Sequence, residues 1–145
     1  MLLTWVDGVA SDTLPADDRG LNYSDGAFET LSCHEGRIQH EDLHRSRLTR
    51  ALTALGLTSA FEQGERLFAD AGQCLETARH TGVARLTITR GSGPRGYTPP
   101  ELPQLRSILS AYPRPESSHS TLRCAVANTR WATPVSYTHL TLPTR

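Results

Sequence analysis

Apolar residues follow two different periods along this chain, and the change between them divides it into elements. LLTWVDGVA (Leu2 to Ala10) places short apolar stretches on either side of Asp7-Gly8, a dipeptide that favours the two-residue turn of a β-hairpin. A polar stretch, SDTLPADDRG, then leads into LNYSDGAFETLS, and LSCHEGRIQ repeats the hairpin logic with Glu35-Gly36 between short strands. From about Glu41 the period becomes helical. Leu43, Leu48, Ala51, Leu52 and Leu55 form one stripe, and Gly56 is placed to end that helix. A second helix is predicted from about Ala60 to His80, with Phe61, Gly64, Phe68, Ala71, Leu75 and Ala78 three and four residues apart. Ser59 and Glu62 suit a capping box at its start, and Gly82 its end.

The strand period then returns. VARLTIT alternates, with Ala84, Leu86 and Ile88 on one face, and RSILSAY reads as the next strand, antiparallel to it. Between them RGSGPRGYTPPELPQ is a glycine- and proline-rich loop. YPRPESSHS has the composition of a linker, and LRCAVANTRW would open another strand and another domain. The expected fold class is α+β: a sheet, two helices and a long loop over residues 1–113, a linker over 114–120, and the start of a second domain over 121–134.

Composition narrows the chemistry. The chain has 145 residues, 37% hydrophobic and 21% charged, enough for one ordinary domain with a core of its own. No segment approaches the apolar length of a membrane span, and MLLTWVDGVA has no basic leader, so a cytoplasmic protein is expected. A net charge of zero argues against a nucleic-acid or polybasic membrane surface. The three cysteines, Cys33, Cys74 and Cys124, are widely spaced and read as reduced thiols. All 15 basic residues are arginine; lysine is absent. Arginine gives forked contacts to phosphate or carboxylate but cannot form a Schiff base, which excludes lysine-dependent covalent chemistry in the chain as it stands.

Arg47 is the most informative single position. It falls between Leu43 and Ala51 at steps of four, so it lies along the apolar stripe, where a guanidinium needs a partner. It can snorkel to solvent, pair with a structural carboxylate, or meet an anionic ligand such as a phosphate. The loop Arg90-Gly91-Ser92-Gly93-Pro94-Arg95-Gly96-Tyr97 is the second candidate, since two arginines and a tyrosine hydroxyl can converge on an anion there. It is not a P-loop, which requires a lysine. His34, His40 and His44, near Glu35, Glu41 and Asp42, invite a metal reading, but without an HExxH or a cysteine pair they are read as surface histidines, and no metal is expected.

Three stretches carry a family resemblance: DRGLNYSDGAFET (Asp18 to Thr30), the HxxRL of His44 to Leu48, and TRGSGPRGY (Thr89 to Tyr97). In order and spacing they resemble class IV pyridoxal-phosphate enzymes, which include branched-chain aminotransferases, D-amino-acid aminotransferases and aminodeoxychorismate lyases. The form RGSGxRGY is most similar to the lyase branch, and the resemblance runs from residue 1 to about 133. It implies the small N-terminal domain of the fold-type IV architecture, pyridoxal 5'-phosphate as cofactor, and a homodimer. It also implies conversion of 4-amino-4-deoxychorismate to 4-aminobenzoate and pyruvate, on the folate route. By position, Arg47 matches the arginine that holds the cofactor phosphate, and Arg95 and Tyr97 match positions that receive a substrate carboxylate. Phe28 stands where some aminotransferases carry a tyrosine, which disfavours a carboxylate site of their type. The other readings kept open are an aminotransferase on the same scaffold and a non-catalytic binding module.

The family's catalytic lysine follows a segment resembling CAVANTRWAT, in a run like GIKHLNR, and this chain carries VSYTHLTLPT instead. That run resembles the translation of a sequencing-library adapter, so residues 135–145 are expected to be a non-native tail, and a chain without an amine for the cofactor is expected to be inactive.

Overall fold

The computed structural model describes residues 3–57, 61–116 and 125. Six strands form one antiparallel sheet: β1 (Leu3–Val6), β2 (Val9–Ala10), β3 (Gly26–His34), β4 (Arg37–Ile38), β5 (Gly82–Thr89) and β6 (Arg106–Tyr112), in the spatial order β2-β1-β6-β5-β3-β4. Both predicted hairpins form. Asp7 and Gly8 have φ of 52° and 77°, and Glu35 and Gly36 have φ of 48° and 83°, the left-handed pairs that match the twist of the flanking strands. β5 and β6 pair antiparallel as the alternation implied, with Leu86 opposite Leu109.

Two helices, α2 (Glu41–Ala54) and α3 (Phe61–Thr77), contribute to the core with the sheet; a one-turn helix, α1 (Arg19–Tyr23), precedes β3. The core alternates along each strand. Ala27, Leu31 and Cys33 on β3, Ala84, Leu86 and Ile88 on β5, and Leu109 and Ala111 on β6 are buried against Leu48, Ala51 and Leu52 of α2 and Phe68, Ala71 and Leu75 of α3. Phe28, Thr30, Thr87 and Ile108, one residue out of step, belong to the opposite face of the sheet.

The helical stripe is narrower than the sequence pattern suggested. Leu43 is 70% exposed, because the first turn of α2 lies outside the packed interface, and the buried seam runs through Leu48, Ala51 and Leu52. Ala78 is exposed, since α3 stops at Thr77. Gly82 does not end that helix. The chain reverses at Arg79, with φ of 47°, where the amides of Arg79 and His80 donate to Glu76 O and Leu75 O, and Gly82 is already the first residue of β5. Gly56, with φ of 69°, does follow α2 as expected. Ser59 and most of the expected linker and second-domain start lie outside the described residues. Among the described residues no helix is long and apolar enough to cross a membrane.

Candidate active site

Glu29 is a charged residue at a core position. It sits on β3 between Ala27 and Leu31, on the face that meets the helices, and is fully buried. A carboxylate there requires partners, and α2 supplies two. Arg47 donates from Nε to Glu29 Oε1 at 2.7 Å, and its Nη2 pairs with Oε2. His44 Nδ1 lies 2.7 Å from Oε2. Because His44 and Arg47 are three residues apart they share one side of α2, so a single inward carboxylate collects both. Burial opposes ionisation of Glu29, but the hydrogen bonds from Arg47 and His44, with the charge of Arg47, outweigh it and hold the carboxyl below its ordinary value of 4.5.

Arg47 therefore does not occupy the core stripe. Its side chain is 51% exposed, flanking the seam rather than lying in it, with one edge of the guanidinium on Glu29. Beside it α2 carries a hollow of about 480 Å³ lined by His40, Leu43, His44, Ser46, Arg47 and Arg50. Two guanidiniums, a hydroxyl and two imidazoles around one depression fit an anion of phosphate size. Sequence reasoning missed Glu29, Ser46 and Arg50. An inward-facing Glu in an otherwise apolar alternation, and Arg50 one turn from Arg47, were the available signals. His34 and His40 are exposed and do not share the contact of His44 with Glu29.

The loop 90–105 is the other assembly. Arg95 and Tyr97 are exposed, Tyr97 at 89%, while the backbone beneath them is tightly held. Arg90 donates to Asp25 Oδ2 and to Leu55 O, both at 2.8 Å, tying the loop to the end of α2. Gly91 has φ of 81°, and a side chain on it would run into the Gln104 carbonyl, so glycine is needed where the loop closes on itself. Phe28, on the sheet face away from α2, lies under the Arg85 guanidinium, 3.9 Å from the ring centroid, in a second hollow of about 290 Å³ that Leu21, Thr87 and Ile108 help to line.

The sequence matches the family described as Amino-transferase class IV over residues 26–142. The chain belongs to the class IV aminotransferases. It is 30% identical over 95 residues to the aminodeoxychorismate lyase of Vibrio harveyi, covering 66% of this chain and 34% of the relative. It is 26% identical over 102 residues to a D-alanine aminotransferase of Staphylococcus epidermidis, covering 68% and 36%. Among solved structures, 4-amino-4-deoxychorismate lyase from Pseudomonas aeruginosa superposes with a TM-score of 0.71 at 38% identity, over 78% of this chain and 40% of that one. A hypothetical aminotransferase from Mycobacterium tuberculosis in a PLP-bound form superposes with a TM-score of 0.57 at 26% identity, over 79% and 40%. The fold is thus the fold-type IV architecture of this family, and the chain spans about a third of the length of the curated relatives it matches. Class IV membership implies pyridoxal phosphate. The cationic hollow on α2 suits the phosphate end of that group, and the chain has no lysine side chain to offer it.

Glu29 gives this scaffold an acid-sensitive joint. Its folded-state carboxyl is depressed, so the stability it contributes is present above the ordinary carboxylate value and lost as pH falls through the lowered one. Urea midpoints of the chain should fall from about pH 6 to about pH 3, and Glu29→Gln should flatten that fall. Equal slopes for parent and variant would remove Glu29 from the acid response.

Proposed function

We propose that this chain is the N-terminal portion of an aminodeoxychorismate lyase, a cytoplasmic homodimer that converts 4-amino-4-deoxychorismate to 4-aminobenzoate and pyruvate. The observation that carries the reading is the 38% identity and 0.71 TM-score with the Pseudomonas aeruginosa lyase, higher in both measures than those with the Mycobacterium tuberculosis aminotransferase. The phenyl ring of Phe28 supports it, since it offers no hydroxyl to an amino-acid carboxylate.

Bound pyridoxal phosphate supplies an electron sink conjugated to the substrate amine. The work of this chain is binding and orientation. Arg47, held from behind by Glu29, receives the phosphate, with Arg50 and Ser46 beside it. Arg95 and Tyr97 receive a substrate carboxylate at the outer surface of their loop and so fix the substrate's orientation. The chain carries no lysine, so it has no side-chain amine to hold the cofactor or move the substrate's proton and is by itself inactive.

The test is the product. The longer parent protein, supplied with 4-amino-4-deoxychorismate, should release 4-aminobenzoate and pyruvate in equal amounts, without an added keto acid as amino acceptor. Dependence on a keto acid, with D-alanine as a better donor, would favour the aminotransferase reading. A 4-aminobenzoate yield no greater than that of the no-enzyme control would reject the lyase.

A further inference from the structure

DRG in the first motif contributes a residue that the cofactor and substrate assignments leave unused. Arg19 is 2% exposed, the largest of the fully buried side chains among the described residues. Its Nε donates to Asp25 Oδ2 at 2.8 Å. Its two terminal nitrogens donate to three consecutive backbone carbonyls of the 90–105 loop: Nη1 to Gly96 O at 3.0 Å and Thr98 O at 3.3 Å, Nη2 to Tyr97 O at 3.1 Å. Successive carbonyls of an extended chain point alternately to opposite sides. Three that converge on one cation require the chain to curl around it, and such a turn needs a central donor array of the guanidinium's shape.

The rest of the contact follows the same plan. The Arg19 amide donates to Gly91 O at 2.9 Å. Gly93 lies so close to the Arg19 stem that a Cβ there would approach Cδ to 2.8 Å. Tyr23, one turn on in α1, accepts the Gly96 amide at 2.7 Å, and its ring lies 4.7 Å from the guanidinium and 5.6 Å from the ring of Tyr97. Asp25 supplies the balancing charge. Burial works against its ionisation, and the hydrogen bonds from Arg90 and Arg19 overcome this and hold its carboxyl below the usual range. The loop's backbone is therefore turned inward while Arg95 and Tyr97 project outward. A loop rich in glycine and proline would otherwise have to be ordered by its ligand, and the entropy lost in ordering it would be subtracted from binding.

We propose that Arg19 is a positioning residue that, by gathering the carbonyls of Gly96, Tyr97 and Thr98, presents Arg95 and Tyr97 as a preformed receptor for the substrate carboxylate. This rests on the role given to Arg95 and Tyr97 above. The clamp is tested on the 145-residue chain itself, with Arg19→Gln, Arg19→Lys and, as a core change away from the loop, Leu75→Ala. Arg19→Gln should raise amide exchange at Gly96 and tryptic cleavage after Arg95 by about tenfold or more relative to the core strands, with Arg19→Lys between it and the parent. Leu75→Ala should raise exchange generally, without singling out the loop.

In the longer parent protein, Arg19→Gln should raise the substrate KM by about tenfold at nearly constant kcat and cofactor affinity. Arg95→Ala should raise KM without loosening the loop. Unchanged Gly96 exchange in Arg19→Gln would overturn the clamp. A loosened loop with unchanged KM would overturn the positioning role. If Arg95→Ala also left KM unchanged, or the parent protein showed no turnover, the failure would lie in the function assigned to Arg95 and Tyr97, while the exchange result would still decide the clamp.

Discussion

No turnover is expected from the 145-residue chain when pyridoxal phosphate and 4-amino-4-deoxychorismate are supplied. The reason is chemical rather than conformational. Covalent attachment of this cofactor needs a side-chain amine that loses its proton at working pH. The chain's 15 basic side chains are all guanidiniums, which stay protonated and do not form the required bond. Neither a favourable phosphate hollow nor a well-ordered loop replaces that group. Absorbance of the mixture should show no covalent cofactor band beyond reaction at the terminal amine, and 4-aminobenzoate release should match the no-enzyme control. A longer protein that joins this segment to a lysine-bearing second half should release 4-aminobenzoate if the proposed function is right. Turnover by the chain alone would contradict the reading outright.

The second large effect concerns Arg47, which has two roles to separate. The structure shows it as the partner of Glu29, and the proposed function adds the cofactor phosphate. A charge-assisted contact of this kind is worth about 1.5–3 kcal/mol, so in the longer parent protein Arg47→Ala should weaken pyridoxal-phosphate affinity by about tenfold or more. Arg47→Lys should recover part of it, since an ammonium cannot make the forked contact. Arg47→Ala also leaves the buried Glu29 carboxylate with His44 and without its guanidinium, so stability should fall as well. The double variant Arg47→Ala/Glu29→Gln separates the two. If Arg47 binds phosphate, neutralising Glu29 recovers stability but leaves cofactor affinity low. If Arg47 serves only Glu29, affinity recovers together with stability.

Local elements were legible because each rests on neighbouring residues. The Asp7-Gly8 and Glu35-Gly36 turns depend on which residues tolerate positive φ, and that preference travels with the dipeptide. The alternation of Ala84, Leu86 and Ile88, and the spacing of Phe68, Ala71 and Leu75, record which side of an element is dry. The ends of the apolar stripes were less legible. Leu43 and Ala78 continue a helical period in sequence but extend past the surface that covers it, and period alone carries no information about where the neighbouring layer stops. Arg47 was visible as an anomaly, though its partner was not, because Glu29 lies 18 residues away on a strand that meets α2 only after folding.

By itself, then, the sequence determined the α+β class, the order of the strands and of the two long helices, the turn positions, the lack of lysine and the three motifs of the class IV aminotransferases, but not the short α1. Tertiary structure decided which charges face one another. It moved Arg47 from the core stripe to its flank, placed Glu29 behind it, set Arg50 and Ser46 beside it, and closed the backbone of Gly96 to Thr98 around Arg19. The physical reason is range. Backbone propensity and hydrophobic period act over a few residues, while a buried carboxylate or guanidinium takes whatever partner the folded topology delivers. Arg19 and Tyr97 are 78 residues apart and meet because β3, β5 and β6 pair in one sheet.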